Sequence, residues 1–481
     1  MNTELSAQPP EAAEDAAEAT AAGLNSTYVD DPGATLPVPA PIDHAGPRKR
    51  SALLNVMQSA GGRALFVLVN AATGILTARA LHPSGRGEMA AMGVWPNFLP
   101  NLMTLGLPSA LIYHFRRPGA HRTTLLRAAL LLGLILGLLS TVVGDAAMPF
   151  WLDHYPARVI HLAQLFMLNG TIVLLIGVAR AACEAKEDFF ASSLSLALTP
   201  LVTLLLLSAF LLAGGLTPTT ACLSYVVAGT PILLFLFSRI VPDLRGRAAS
   251  LLASSRALLG YGVRSYGVDL CGTLALYADQ ALVVRLLEPA AMGVYAVALS
   301  LSRTLSVLQT AVASVLFPKA LGLRPAELLE LTSRAARLSL IFSMLAGTLV
   351  GLLGPILLPL LYGRDYRHAV TLLNILIAEA IVTGATLVLT QAHMALGRPG
   401  AVTLIQSSGI AFSIPLLLLL IPRFGLVGAS SALLIASFLR LLLTLASFPV
   451  LLRVGVPRLV PVKQDFVQLH GQLQRLTTPR A

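Results

Sequence analysis

Long apolar stretches separated by short polar connections dominate the chain between residues 51 and 454. A helix needs about 20 apolar residues to cross the hydrocarbon of a bilayer. Only helices and closed barrels cross lipid without leaving backbone groups unpaired. The pattern therefore predicts an all-α polytopic membrane protein with about twelve transmembrane helices. The predicted spans are 55–79, 89–114, 126–149, 159–182, 190–213, 219–241, 259–286, 293–317, 336–361, 368–392, 401–422 and 425–449.

Composition supports this interpretation and marks the two ends of the chain as different. Hydrophobic residues make up 56% of the sequence and charged residues only 12%, whereas a soluble domain carries roughly 25% charged residues. Residues 1–50 contain eight acids and no apolar run, so they are expected to form a disordered acidic cytoplasmic tail. Residues 455–481 are expected to form a basic cytoplasmic tail.

The distribution of Lys and Arg among the connections predicts the orientation. One alternating set of connections is rich in basic residues, beginning with Arg48, Lys49 and Arg50 and including Lys319 and Arg334. The other set holds few and is short throughout. The richer set is expected to face the cytoplasm, and an even number of spans then places both termini there.

An internal repeat divides the predicted spans into two halves. Segment 79–87 (RALHPSGRG) matches segment 285–293 (RLLEPAAMG) at an offset of 206 residues. We therefore expect two six-helix lobes, at 51–242 and 255–454. Six is an even number, so both lobes insert in the same direction. Transporters built from such parallel repeats hold substrate between the halves.

Polar residues recur along single faces of several predicted helices. Charged groups at mid-depth are costly in lipid, so these faces should line the bundle interior or a wet cavity. The candidate substrate-binding residues are Arg63, Asn70, Asn97, Asn101, Arg264, Tyr266, Tyr277 and Arg303. The candidate ion-coupling residues are Asp269, Asp279 and Glu379.

Each charged candidate also has a structural alternative. Arg63, Arg264 and Arg440 lie toward helix ends, from which a long side chain can extend to the lipid phosphates. For Arg264 and Arg440 this is the favoured interpretation.

The deeper charges have a different alternative, which is pairing within the protein. Arg303 is a potential partner of Asp269 or Glu379, and Asp279 a potential partner of Arg285. The two acids Asp269 and Glu379 could equally be hydrogen-bonded structural groups.

No enzyme chemistry is evident in the sequence. The three cysteines, Cys183, Cys222 and Cys271, form no pattern with histidine that is typical of zinc sites or disulfide frameworks. Phosphate-binding glycine loops and nucleophile motifs are not found, and the short outer connections leave little room for a catalytic domain. We expect a protein that is not an enzyme and does not bind nucleic acid.

Several segments give the chain a resemblance to a known family. They are 78–83 with Gly87, the Leu107-Pro108 pair, 279–289, 293–298 and the Phe317-Pro318 pair. From about 51 to 450 the chain resembles the oligosaccharide-lipid flippases of the Wzx type. These belong to a larger group with multidrug and toxin extrusion proteins and peptidoglycan lipid flippases.

The resemblance implies two six-helix lobes around a central cavity in the cytoplasmic membrane of a bacterium. It implies that a polyprenyl-pyrophosphate-linked sugar is flipped to the outer leaflet, with cationic cavity residues near the pyrophosphate. Membrane lipids, polysaccharide polymerases and glycosyltransferases are the expected partners. No cofactor is expected beyond a coupling ion, for which Na⁺ and H⁺ are the candidates. A cation-coupled multidrug exporter and a membrane glycosyltransferase or polymerase stay open as alternatives.

Overall fold

The computed structural model describes residues 49–117, 121–246 and 250–460, with side chains described from residue 68 onward except that of Val268. The side chain of Arg63 and most of both predicted tails therefore lie outside the described residues. The exceptions are Lys49 and Arg50, which begin the first helix where a disordered tail is predicted, and the first few residues of the basic tail. The described residues from Leu54 onward belong to one compact unit, and all contacts reported below lie within it.

Thirteen α-helices are formed by the described residues, which contain no β-strand. They are α1 Lys49–Leu102, α2 Leu107–Phe115, α3 Arg122–Trp151, α4 Ala157–Phe166, α5 Leu168–Ala185, α6 Phe189–Leu212, α7 Pro218–Ile240, α8 Leu251–Leu286, α9 Pro289–Arg303, α10 Leu305–Ala320, α11 Pro325–Tyr362, α12 Val370–Ala395 and α13 Pro399–Ser447.

The predicted apolar stretches lie on these helices apart from short breaks, and the chain is an all-α multi-pass membrane protein. By length and apolar character, eight described helical segments are able to cross a membrane, or nine if a bent pair within α8 forms one span. The count is below twelve partly because Pro399–Leu452 is a single segment that holds two predicted stretches. In addition, α1, which holds the first stretch and much of the second, is not among the counted segments.

Two of the long helices contain a turn that the apolar pattern does not mark. The backbone of α1 is non-helical at His82 (φ 56°, ψ 176°), which separates the first two predicted spans. The backbone of α13 is non-helical at Gly425 (φ 58°, ψ −132°). Beyond Gly425 the chain turns back, because Gly428 lies against the carbonyl of Leu420.

The two sequence repeats meet through reciprocal contacts. A Cβ atom on Gly87 would collide with the carbonyl of Pro289, and one on Gly293 would collide with the carbonyl of Pro83. Glycine is required at both positions because backbone faces backbone there. Since Gly87 and Gly293 are equivalent in the repeat, this pattern is what a pseudo-twofold axis between the halves produces.

Polar contacts reinforce the same end of the bundle, which we call the closed end (residues 78–87, 285–293 and 360–366). Arg79 donates from Nε to the carbonyl oxygen of Leu361 at 2.8 Å, and from Nη2 to that of Leu360. His82 Nδ1 lies 2.8 Å from Asp365 Oδ2. These contacts join α1 to the end of α11 and the turn that follows it.

The apolar core divides with distance from the closed end. There, one cluster combines first-half residues such as Trp95 and Met148 with second-half residues such as Tyr295 and Leu358. At the opposite end the described residues form two further clusters. One comprises first-half residues and Leu258 of α8, and the other only second-half residues. The halves therefore share a core at the closed end and have separate cores at the other.

One seam between the halves continues past the shared core, along α2 and α8. The rings of Tyr113 and Tyr261 stack with their centroids 4.0 Å apart and an interplanar angle of 12°. Nearby, Tyr266 donates to the carbonyl oxygen of Leu102, where α1 ends. The break between α1 and α2 frees this carbonyl from helical bonding, and the tyrosine of the other half satisfies it.

Candidate functional site

Arg303 lies at the depth where the shared core ends. It is the last residue of α9, where a cation is favoured by the helix dipole. Its Nη2 donates to the carbonyl oxygen of Leu276 at 3.1 Å. Leu276 is roughly ten residues, or ~15 Å, before the end of α8, which is about half of the hydrocarbon thickness. The guanidinium is therefore near mid-depth, beside the middle of α8.

The carboxylate that holds Arg303 is Asp279. Its Oδ2 lies 3.8 Å from Arg303 Nη2 and accepts a hydrogen bond of 2.6 Å from the hydroxyl of Tyr295. The Asp279 side chain is only 2% exposed, whereas that of Arg303 is 39% exposed. Asp279 thus provides a buried carboxyl group that faces the arginine and keeps it in place. Its predicted role in ion coupling stays a prediction.

Two pairings expected from the sequence are wrong. Asp279 pairs with Arg303 and not with Arg285, because Arg285 binds Asp153 across the closed end. Arg303 in turn pairs with Asp279 and not with Asp269 or Glu379. The reason is helical phase: residues ten positions apart in α8 point about 80° apart around the axis, so Asp269 is exposed while Asp279 is buried.

Much of the guanidinium of Arg303 stays available. Both contacts above use Nη2, and within the described part of the chain Nε and Nη1 make no hydrogen bond. Arginine binds phosphate oxygens through two parallel N–H donors and stays charged at all physiological pH values. The arrangement is suited to bind an anionic group presented from the side where the cores separate.

A line of hydroxyl groups continues from Arg303 along α10. Ser306, Thr310 and Ser314 recur every four residues and are all exposed. Each hydroxyl donates to a backbone carbonyl of the same helical segment, with distances of 2.6, 2.8 and 2.8 Å. The oxygen of each is therefore left as an acceptor for a partner such as a sugar hydroxyl.

The predicted tyrosines lie between the halves, while the asparagines bond within their own helix. Tyr266 is buried in the α2–α8 seam, and the ring of Tyr277 packs against Phe98 with centroids 5.8 Å apart. Asn97 donates to the carbonyl of Gly93, and Asn101 to that of Asn97, both at 2.8 Å.

Three further candidates are exposed side chains. Asn70 on α1 and both Arg264 and Asp269 on α8 are exposed. Exposure alone does not test the predicted substrate-binding roles of Asn70 and Arg264 or the predicted ion-coupling role of Asp269, so these stay predictions.

A cavity of about 380 Å³ inside the first half is lined by an arginine, Arg180, that is not among the residues predicted from the sequence. Asn101, Thr104 and Ser109 line it together with Arg180 and Glu184. Arg180 makes no ion pair within 4.0 Å among the described residues. The signal that could have identified it is a single arginine within the otherwise apolar run 172–183.

A partly buried polar cluster lies in the second half, between α12 and α13. Glu379 accepts hydrogen bonds from Thr383 (2.5 Å) and Ser437 (2.9 Å). Arg440 donates to Thr383 at 2.8 Å and to Gln406 at 3.2 Å. The expectation that Arg440 extends to the lipid phosphates is wrong: it is only 9% exposed, because it faces α12 and finds its acceptors inside the bundle.

Replacing Glu379 with glutamine should lower the thermal stability of the purified protein. The amide cannot provide the charged acceptor that the hydroxyls of Thr383 and Ser437 use, and hydrogen bonds to charged groups contribute about 1.5–3 kcal/mol. Thermal unfolding in detergent measures the loss. Asp269→Asn is the matched control, an exposed acid of the same half for which little change is expected. An unchanged melting temperature for Glu379→Gln would contradict the structural role.

Comparison with solved structures shows that known membrane transporters share this fold. The chain is similar to a structure described as the lipid II flippase MurJ in an inward closed conformation. The TM-score is 0.69 and the identity 13%, over 89% of this chain and 94% of that one. It is also similar to an inward-facing multidrug resistance MATE family transporter of the MOP superfamily, with a TM-score of 0.63, 16% identity, and coverage of 81% and 96%.

A third similar structure is a MOP superfamily transporter from Pyrococcus furiosus, with a TM-score of 0.54, 12% identity, and coverage of 82% and 94%. These likenesses define the class: the chain is a multi-pass helical membrane protein with the fold of MOP superfamily transporters. A family model described as polysaccharide biosynthesis protein matches residues 76–371, which is more than half of the chain. The chain belongs to this family. Comparison with curated protein sequences gives no significant match.

Proposed function

We propose that this protein flips a polyprenyl-pyrophosphate-linked oligosaccharide from the cytoplasmic to the outer leaflet of a bacterial cytoplasmic membrane. The observation that carries the proposal is Arg303, a partly exposed arginine near mid-depth that is held by the buried Asp279. A pyrophosphate that crosses the membrane requires a positively charged binding partner at mid-depth, and arginine is the side chain best suited to bind it.

The divided core supports transport by alternating access. Basic residues favour a cytoplasmic position for the end opposite the closed end. In that orientation the halves are joined on the outer side and separate toward the cytoplasm, which is an inward-facing state. Substrate enters from the cytoplasmic leaflet, its pyrophosphate reaches Arg303, and opening of the closed end then releases it outward.

The family and the fold support a lipid-linked substrate. The family is described as taking part in polysaccharide biosynthesis, and one structure with this fold is a lipid II flippase. Glycosyltransferases that make the substrate and polymerases that consume it are the proposed partners. Na⁺ or H⁺ binding at Asp269 or Glu379 is the proposed means of resetting the cycle.

A cation-coupled multidrug exporter is the second candidate, and the exposed Asp269 on α8 favours it because a carboxylate attracts cationic compounds. Translocation in vesicles separates the two functions. Purified protein is reconstituted with a fluorescent lipid-linked oligosaccharide, and a membrane-impermeant quencher reports the fraction in each leaflet. We expect accelerated exchange of this lipid and no transport of a cationic dye. Dye transport without lipid exchange would reverse the assignment.

A further inference from the structure

An apolar groove of about 620 Å³ lies between α10 and α11, on the side of α10 away from Ser306, Thr310 and Ser314. Its walls include Leu308 and Val315 from one helix and Leu338 and Phe342 from the other. The volume is within the range of about 300–1,000 Å³ that is typical of small-molecule sites. The groove is therefore large enough to hold part of a lipid chain.

Two cations lie at one end of this groove. Lys319 lies next to the last residue of α10, and Arg334 lies roughly ten residues into α11. Among the described residues neither forms an ion pair within 4.0 Å, although Glu330 precedes Arg334 by one helical turn. An apolar channel with unpaired positive charges at its mouth complements a lipid with an anionic headgroup, since such charges attract anionic lipid at a membrane surface.

The exposed surface of α10 is divided lengthwise into a polar and an apolar edge. Thr310 and Val315 point roughly 140° apart around the helix axis, and both are exposed. The polar edge leads from Ser314 toward Arg303, while the apolar edge forms the groove, with Lys319 at its end. A molecule that moves along α10 with its headgroup on one edge and its tail on the other must be amphipathic.

On this basis, and on the basis of the proposed function, we infer that the groove binds the isoprenyl chain of the lipid carrier. Lys319 and Arg334 hold its phosphate at the cytoplasmic surface before the headgroup moves along the polar edge to Arg303. We assign the groove to the carrier and not to bulk phospholipid because α10 connects the groove to Arg303 at mid-depth. A phospholipid that stays in one leaflet does not need to contact an arginine at that depth.

Photolabelling of the full-length protein tests the assignment. The probe is farnesyl pyrophosphate with a diazirine at its tail end, added to the protein in phosphatidylcholine vesicles. We expect label on α10 and α11 that is displaced by unlabelled farnesyl pyrophosphate but not by the same mole fraction of phosphatidylglycerol. Equal displacement by phosphatidylglycerol would show a bulk-lipid site and overturn the assignment, as would label found only on other helices.

Substitutions identify which residues of the groove contribute to binding of the probe. Lys319→Gln and Arg334→Gln should each reduce labelling roughly fivefold, the effect expected for one interfacial cation, while Arg337→Gln, one turn further along α11, should not. Leu338→Trp fills the groove and should abolish labelling. Leu345→Trp places the same side chain on an exposed, non-lining position of α11 and should leave labelling unchanged. Equal labelling of the two tryptophan variants would overturn the inference.

Lipid exchange measured on the same vesicles keeps the two proposals separate. Exchange of the lipid-linked oligosaccharide without label in the groove would refute the groove while the proposed function stands. Specific label in the groove without exchange would support the binding site and count against the flippase function.

Discussion

Replacing Arg303 with alanine should slow translocation of the lipid-linked oligosaccharide in reconstituted vesicles by about 100-fold. A hydrogen-bonded, charge-assisted contact to phosphate contributes about 1.5–3 kcal/mol, so its loss weakens binding by roughly 10- to 100-fold. Because the pyrophosphate has to be bound at mid-depth in order to cross, the effect on the rate of exchange should be at the upper end of this range. The leaflet-quenching assay measures it directly.

A structural role of Arg303 must be separated from a role in binding. The alanine variant also leaves Asp279 buried without its partner, and removing one member of a buried pair is destabilising. The double variant Arg303→Ala/Asp279→Asn removes both charges, so it should regain membrane yield and thermal stability but not translocation. Arg303→Lys retains the charge without the planar fork and should transport poorly while folding normally. Wild-type exchange by the double variant would exclude Arg303 from the transport path.

The helices follow from local sequence, whereas the partners of buried charges do not. An apolar run of about 20 residues predicts a spanning helix wherever it occurs, so the predicted stretches lie on observed helices. The same run does not mark interior breaks, such as the one after Arg303 that ends α9. That break places Arg303 at a helix terminus. The sequence therefore predicts a charged residue at mid-depth but not the local backbone geometry that positions it.

Helical phase and neighbouring helices decide the remaining features of the site. Arg440 was expected at the lipid surface because sequence gives the distance to a helix end but not which face is buried. Its acceptor Thr383 is 57 residues away in the chain, a pairing that no local pattern encodes. The division of the core into one shared and two separate clusters likewise depends on contacts between the halves, so the direction in which the molecule opens is visible only in three dimensions.

Cross-linking the closed end should stop transport reversibly. His82 and Asp365 belong to different halves and their side chains lie 2.8 Å apart, so cysteines at both positions should be joined by a short bifunctional thiosulfonate reagent. If release requires these segments to separate, the cross-linked protein should show no exchange of lipid-linked oligosaccharide above the protein-free rate. A reducing agent should restore it.

The background for this experiment is favourable, because the three native cysteines are buried and free. Each single variant treated with the same reagent is the matched control and should keep its untreated rate, since one cysteine cannot join the halves. Arg79 and its carbonyl partners remain in place in all variants, so the closed end should still form before cross-linking. Full exchange by the cross-linked double variant would mean that the closed end does not open during transport, and alternating access between the two halves would have to be abandoned.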